Sequence, residues 1–375
     1  MMLRYLTSGE SHGKCLVTIV EGMPAGLSLA PEDINNDLAR RQMGFGRGGR
    51  MTIEKDEVEI LSGVRGGTTM GGPIALMIPN KDFKINELPV VTKPRPGHAD
   101  LTGALKYNHK DIRNVLERAS ARETTSRVAA GAVCRKFLAV FGIDILSHVL
   151  QIGTIRAKIA ELSLAELRKK VEASQVRCAD PEAQKTMIAE ITKVKEEKDT
   201  LGGVFEVIAT GVPVGLGSFV HYDRKLDGRL ARAILSIQAM KAVEIGEGVK
   251  ASTLRGSQFH DAIYYKKEKS FYRSSNNSGG IEGGMSSGEP IVIRAFMKPI
   301  STLLNPLPSV DIVTKQSVEA TVERSDVCTV PAAGVIGEAV VAFEIADCFR
   351  EKFGGDSMAE IRHNYEGYLK QVKEF

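Results

Sequence analysis

The residues able to do chemistry lie in short groups spread along the chain. Gly9-Glu10-Ser11-His12-Gly13 sets a hydroxyl and an imidazole among small neighbours. That leaves the ring open to a ligand, and histidine is the side chain that exchanges a proton near neutral pH. A lone histidine of this kind also reads as structural. Arg40-Arg41, followed by Arg47 and Arg50 in the stretch Gly44-Phe45-Gly46-Arg47-Gly48-Gly49-Arg50, surrounds a glycine loop with guanidinium forks. Such forks match the oxygens of phosphates and carboxylates in pairs. A solvated basic loop and an RNA-binding arginine–glycine segment are the other readings. The second normally comes as repeated tracts with aromatics, and here there is one short copy, so small-anion binding is favoured. These cations are expected to keep the empty loop mobile until an anion orders it.

Pro94-Arg95-Pro96-Gly97-His98 displays an Arg and a His on a stiff loop, because proline restricts the backbone on either side of Arg95. In Glu117-Arg118-Ala119-Ser120-Ala121-Arg122-Glu123-Thr124-Thr125, a helix would make Arg118 and Arg122 neighbours one turn apart. They would repel unless an anion lay between them, and the small residues would let a flat ligand approach the backbone. The strip Asn276 to Met285, with Gly279, Gly280, Gly283 and Gly284, and the segment Lys298-Pro299-Ile300-Ser301-Thr302 could cradle a phosphate through backbone N–H groups. Neither has Walker or dinucleotide-fold spacing. Arg324-Ser325-Asp326 reads first as a structural pair.

The elements that must position these groups follow from hydrophobic period and caps. Leu16 to Val20 reads as a buried strand, and Pro31-Glu32-Asp33 opens a helix with Ile34 and Leu38 on its apolar face. Strands are expected over 52–61, 73–78, 204–209 and 291–295. His109 to Phe141 reads as a long helical stretch, continuous or interrupted, capped by Gly142; further helices are expected over 227–240, 338–353 and 357–372. Ser163-x-x-Glu166 is a capping box, and Asp180-Pro181 starts a Lys/Glu-rich helix. The span of about 163–200 reads as a charged, solvated helical excursion without chemistry of its own. Gly22-Met23-Pro24-Ala25-Gly26-Leu27 is echoed by Gly211-Val212-Pro213-Val214-Gly215-Leu216. Both follow an apolar run and precede a helix carrying Leu-Ala-Arg, which points to an internal duplication of a strand–turn–helix unit. No Pro/Ser-rich linker separates the halves, so residues 1–375 are expected to form a single domain.

Composition narrows the class. Hydrophobic residues at 43% and charged residues at 26% are those of a globular chain, and a net charge of +4 gives no argument for nucleic acid. Cys15, Cys134, Cys178, Cys328 and Cys348 are scattered, with no C-x-x-C pair. That argues against disulfides and zinc, so no metal site is expected. The start leaves no room for a signal-peptide apolar region, and no run is long enough to span a membrane. A cytoplasmic location is the expectation.

Taken in order, these groups resemble the chorismate synthase family. The carriers are Gly-Glu-Ser-His-Gly with Gly-Met-Pro-Ala-Gly, Arg-Ala-Ser-Ala-Arg-Glu-Thr-Thr with Arg127-Val128-Ala129, and Arg-Ser-Asp. Arg-Pro-Gly-His-Ala-Asp (95–100) and Gly-Gly-x-x-Gly-Gly-Met (279–285) also fit, so the likeness runs from residue 3 to about 350. Ala119 and Gln238 depart from the family's commoner Ser and Asn. The resemblance implies an α+β fold, a layered sandwich of helices between antiparallel sheets, assembled as a homotetramer. It implies a 1,4-anti elimination of phosphate from 5-enolpyruvylshikimate 3-phosphate, with reduced FMN lending an electron and recovering it. FMN would be held by Arg118, Ala119, Ser120, Gln238, Ala239, Gly283, Lys298, Pro299, Ile300, Ser301, Thr302 and Arg324. The small-molecule substrate would meet Ser11, Arg41, Arg47, Arg50, Arg95 and Arg122. His12 is implied at the leaving phosphate, His98 at the reduced flavin, and Asp326 in proton traffic at the flavin N5 edge. NADPH would enter only indirectly, through an external flavin reductase.

Overall fold

The computed structural model describes residues 3–48, 55–159, 161–267, 270–323 and 325–375. The first half runs β1 (Arg4–Ser8), β2 (Cys15–Glu21), α1 (Pro31–Gln42), β3 (Glu59–Ser62), the small hairpin β4 (Val64–Arg65) and β5 (Thr68–Thr69), then β6 (Ile74–Pro79). Helices α2 (Asp100–Tyr107), α3 (Arg113–Ala119) and α4 (Thr124–Ala139) follow. The second half repeats the plan with β7 (Asp144–Ile152), β8 (Ile155–Arg156), α5 (Leu164–Glu172), α6 (Pro181–Glu196), β9 (Gly203–Thr210), α7 (Leu226–Leu235) and β10 (Met240–Ile245). Then come α8 (Gly256–Phe259), the hairpins β11 (Ile263–Lys266) with β12 (Ser270–Arg273) and β13 (Ile281–Glu282) with β14 (Met285–Ser286), and β15 (Ile291–Met297). The hairpin β16 (Pro308–Val310) with β17 (Ser317–Glu319) precedes α9 (Val330–Phe353) and α10 (Met358–Glu374).

A four-stranded sheet in the order β1-β2-β6-β3 and a five-stranded sheet in the order β10-β15-β9-β7-β8 flank the helices, and every pairing is antiparallel. Each sheet turns alternate apolar residues inward, as a half-buried sheet must. Leu16 and Val20 of β2, Ile74, Leu76 and Ile78 of β6, and Ile291, Ile293 and Ala295 of β15 are buried this way. Between the sheets α4 and α9 lie against each other. They come so close that a Cβ on Gly131 would meet Ala339 Cβ at 2.4 Å. Gly337 lets α9 settle on the second sheet, since a Cβ there would meet the Phe205 ring at 2.6 Å. The result is the expected α+β sandwich, and one main core cluster joins both sheets to the helices.

The expected duplication is present down to its hydrogen bonds. After β2, Thr69 Oγ1 donates to Pro24 O at 2.6 Å and accepts from Leu27 N at 2.9 Å. After β9, Ser286 Oγ donates to Pro213 O at 2.6 Å and accepts from Leu216 N at 2.8 Å. Gly26 N and Gly215 N then donate to the carbonyls of the same two residues. Gly22, Gly26, Gly211 and Gly215 all have positive φ, which explains glycine at matching positions of both turns.

Some expected boundaries move. The strand expected over 52–61 is confined to Glu59–Ser62, unpaired through 55–58, and residues 52–54 lie outside the described residues. The helical stretch 109–141 is broken at Ser120, whose ψ of 144° is extended. The helix expected over 227–240 ends at Leu235, because Met240 already pairs with Met297. The charged span 163–200 opens with the Ser163–Glu166 capping box and the Asp180 N-cap. Its α6 is more than a solvated excursion, because Ala183, Met187, Ile191 and Val194 face inward and join the main core.

Candidate active site

A cleft of about 670 Å³ opens where α4 and α9 begin. The β1–β2 connection, the proline-framed loop after Lys93, the turn between α7 and β10, the segment after β15 and the residues before α9 form its other walls. Residues far apart in sequence meet here: Ser11, His12, Arg41, Arg47, Arg95, His98, Ala119, Ser120, Arg122, Gln238, Ala239, Lys298, Ile300, Ser301, Thr302 and Asp326 all line it. Arg118, Gly283 and Pro299 do not. Arg118 turns to the first strand, donating to Thr7 O at 2.9 Å and Gly9 O at 3.0 Å. Gly283 is exposed at the tip of the β13–β14 hairpin, and Pro299 points to solvent. Arg50 and Arg324 lie outside the described residues.

His12 is fixed through its own backbone. Its carbonyl accepts from Lys84 N and Ile85 N at 3.2 and 3.0 Å, and its N–H donates to Glu117 Oε2 at 2.7 Å. Ring Nδ1 lies 2.9 Å from Glu117 Oε1, and Nε2 lies 3.7 Å from Asp82 Oδ2. Lys84 Nζ holds Asp82 Oδ1 at 2.7 Å. Burial would push the Glu117 carboxyl up, but the hydrogen bonds from His12 and the charge of Arg113 outweigh it and hold it below its ordinary value.

His98 is built the same way. Its Nδ1 lies 2.6 Å from Asp100 Oδ1, and that buried carboxylate also accepts from Arg95 N at 3.0 Å and Arg95 Nε at 2.8 Å. Burial opposes the charge on Asp100, yet the bonds from His98 and Arg95 hold its carboxyl well below the usual range. Arg95 NH1 donates onward to Thr302 Oγ1 at 2.8 Å, and Ser301 Oγ donates to Gly97 O at 2.8 Å. The stiff loop and the Lys298–Thr302 segment are thus one wall.

The arginines are preorganised by buried partners. Arg41 Nε donates to Thr124 Oγ1 at 3.0 Å and NH2 donates to Ala121 O at 3.0 Å. Arg122 donates to Asn80 Oδ1 at 2.9 Å and to Asp56 Oδ1 at 2.5 Å. Burial pulls the Arg41 pKa down, Asp56 opposes that, and Arg47 and Arg122 add to it. Such crowding of cations favours an anionic ligand. Because the helix breaks at Ser120, Arg118 and Arg122 are not the neighbours a continuous helix would make them. Arg40 also leaves the group: one helical step from Arg41, it turns away from the cleft to Glu338, Glu172 and Asp37. The glycine loop is hydrogen-bonded to its surroundings as far as Gly48, and residues 49 and 50 lie outside the described residues. Phe45 N donates to Gln175 O at 2.8 Å, Gly46 O accepts from Val327 N at 2.8 Å, and Gly48 N donates to Asp326 Oδ1. Arg47 Nε lies 3.5 Å from Asp326 Oδ2.

The remaining wall suits a flat, polar group. Gln238 Oε1 is buried and has no hydrogen-bond partner among the described residues, so it can receive a donor from a ligand. Ala239 holds the left-handed φ of 68°, a strain that persists where a neighbour fixes it; here Lys298 N donates to its carbonyl at 3.0 Å. Lys298 Nζ donates to Ser301 Oγ at 2.8 Å, and burial lowers its pKa. These features fit the ring edge and phosphate of FMN. Of the backing residues, Glu117 and Asp100 stand inside the sequence groups without an assigned role, and Asp56, Asp82, Lys84 and Asn80 were not singled out. For Asn80, Asp82 and Lys84 the signal was the polar run that starts with Asn80-Lys81-Asp82 directly after an apolar strand.

Comparison with known proteins agrees with this geometry. The chorismate synthase family model matches residues 3–349. Proteins described as chorismate synthase are 57% identical in Geobacter sulfurreducens and 56% identical in Geobacter metallireducens, each alignment covering 100% of both chains. A crystal structure of a chorismate synthase superposes with a TM-score of 0.83 at 45% identity, covering 100% of this chain and 99% of that one. The chain belongs to the chorismate synthase family.

Proposed function

We propose that this enzyme, a lyase of the shikimate pathway, eliminates phosphate from 5-enolpyruvylshikimate 3-phosphate in the 1,4-anti sense to give chorismate. The observation that supports the reading best is one cleft faced by two histidines, each backed by a carboxylate, together with Arg41, Arg47, Arg95 and Arg122. A phosphate and two carboxylates on the substrate need such a set of cations. In the reaction the C3–O bond breaks, phosphate leaves and the C6 hydrogen is lost. Reduced FMN, when bound, supplies an electron transiently and recovers it, so no net oxidation occurs.

Each residue then has a defined task. Arg41, Arg47, Arg95, Arg122 and Ser11 orient the anionic groups, with Arg50 as a further candidate. His12 gives a proton to the departing phosphate. His98, steadied by Asp100, holds a proton beside the flavin, and Asp326 moves one at the N5 edge. Ala119, Ser120, Gln238, Ala239 and Lys298 to Thr302 would hold FMN, with Arg118, Gly283 and Arg324 the remaining residues implied for it. We further read the chain as one domain of a cytoplasmic homotetramer that depends on an external, NADPH-using flavin reductase. No helix among the described residues is long and apolar enough to cross a membrane.

The test is anaerobic phosphate release from 5-enolpyruvylshikimate 3-phosphate with and without pre-reduced FMN. Release is expected only with the reduced flavin. Equal turnover with oxidised FMN in air overturns the flavin requirement, and release sustained by NADPH and catalytic FMN alone overturns the need for an outside reductase.

A further inference from the structure

Both oxygens of Glu117 are committed to His12. Oε1 lies 2.9 Å from ring Nδ1, and Oε2 accepts the His12 backbone N–H at 2.7 Å. The carboxylate is 1% exposed, so water does not compete for it. Three further charged groups stand around this pair. Arg113 NH1 lies 3.7 Å from Glu117 Oε1, Asp82 Oδ2 lies 3.7 Å from His12 Nε2, and Lys84 Nζ binds the other Asp82 oxygen at 2.7 Å. Asp82 is thus held beyond hydrogen-bond distance of Nε2.

We infer that Glu117 is a positioning residue that fixes neutral His12 with its proton on Nδ1, leaving Nε2 as the nitrogen that exchanges a proton in the cleft. An ionised carboxylate can only accept hydrogen bonds, and Glu117 is held ionised by the groups around it. At 2.9 Å the ring nitrogen facing it must therefore be the donor. Turning the ring over would break that bond and leave a buried carboxylate oxygen without its partner, which is strongly unfavourable. The second bond, to the backbone of the same residue, keeps ring and carboxylate in register. The purpose assigned to the Nε2 proton rests on the proposed elimination; the tautomer itself does not.

The experiment is nitrogen NMR on the full chain with ¹⁵N-histidine, without substrate, with the His12 resonances assigned by His12→Asn. The expected neutral form carries hydrogen on Nδ1. A neutral form with hydrogen on Nε2 overturns the inference in the unmodified protein, whether or not any variant folds. In Glu117→Gln the amide can donate to Nδ1, so the tautomer should switch and kcat should fall about 10²–10⁴-fold with KM unchanged. Glu117→Asp should restore part of that loss. A Glu117→Gln protein that keeps the wild-type tautomer has lost only a structural contact, which also overturns the inference. Asp82→Asn should leave the tautomer as it is; a switch there would transfer the role to Asp82. Absence of phosphate release by a wild-type protein with hydrogen on Nδ1 would count against the elimination alone.

Discussion

Replacing Glu338 by Gln should destabilise the fold by about 3–5 kcal/mol, the usual effect of removing one partner from a buried charge network. Glu338 is fully buried on α9. Its Oε1 accepts from Arg40 NH2 at 2.8 Å, Ser147 N at 2.8 Å, Ser147 Oγ at 2.7 Å and Arg177 NH2 at 3.1 Å. Its Oε2 accepts from Arg40 NH1 at 2.7 Å and lies 3.2 Å from Arg135 NH1. The amide keeps the shape but leaves these guanidinium groups without their shared anion. Burial alone would raise the Glu338 pKa, yet Arg40, Arg135 and Arg177 lower it from 4.5 to about 2. That difference corresponds to about 3 kcal/mol by linkage, in line with the first figure. Because the folded pKa is depressed, the contribution is complete above pH 4.5 and is lost as pH falls toward 2. About 2 kcal/mol of it should be gone by pH 3. Urea unfolding of wild type and Glu338→Gln at pH 7 and at lower pH is the assay. A gap below about 1 kcal/mol at pH 7, or one that stays constant as pH falls, would refute the reasoning.

Thr69→Val and Ser286→Ala each remove a buried hydroxyl that makes the same pair of turn bonds, and each should lower stability by about 1–3 kcal/mol; a large difference between them in urea unfolding would show the repeated turns to be unequal. Gly131→Ala pushes a methyl to 2.4 Å from Ala339 Cβ, so melting should report a loss of about 1–3 kcal/mol, with weakened ligand binding because both helices begin at the cleft. Gln238→Leu removes the unpaired oxygen and the bond from Nε2 to Glu123 Oε2 at 3.3 Å, so it should weaken FMN binding about tenfold in calorimetry while lowering the stability of the free protein by about 1 kcal/mol or less; unchanged affinity would separate Gln238 from the cofactor.

What the sequence made legible followed from residue type. His12, His98 and the arginines stood out because glycines and prolines frame them, and the cleft does bring most of them together. Glu117 and Asp100 lay within the motifs, but nothing in the sequence marked them as the partners of His12 and His98, and Asp56 was not legible because a long stretch of chain separates it from Arg122. Strands β1 and β7 escaped notice because polar residues interrupt their apolar pattern. In β7, Ser147 and His148 are tolerated only through long-range partners, Glu338 and Glu206 at 2.7 and 3.0 Å. The start of α9 was placed too late because Pro331, Gly334 and Gly337 look like breakers. Proline is at home in a first helical turn, and the glycines exist for close approach to Ser147 and Phe205.

The shared starting point of α4 and α9 has an electrical consequence. The turn leading into α4 is capped by Ser120 Oγ, which accepts from Arg122 N at 3.2 Å, and α9 starts at Thr329 without a side-chain cap; both helices still turn the positive ends of their dipoles toward the cleft. Two such ends side by side repel, and the close packing at Gly131 prevents them from separating. Unlike an imidazolium, this potential does not titrate, so its pull on an anion of fixed charge is the same at pH 9 as at pH 6. An anion lodged there relieves the repulsion between the two helices, so the enzyme should melt at a higher temperature in phosphate than in chloride of equal ionic strength. Occupancy of the cleft would then be part of what keeps the central helix pair together.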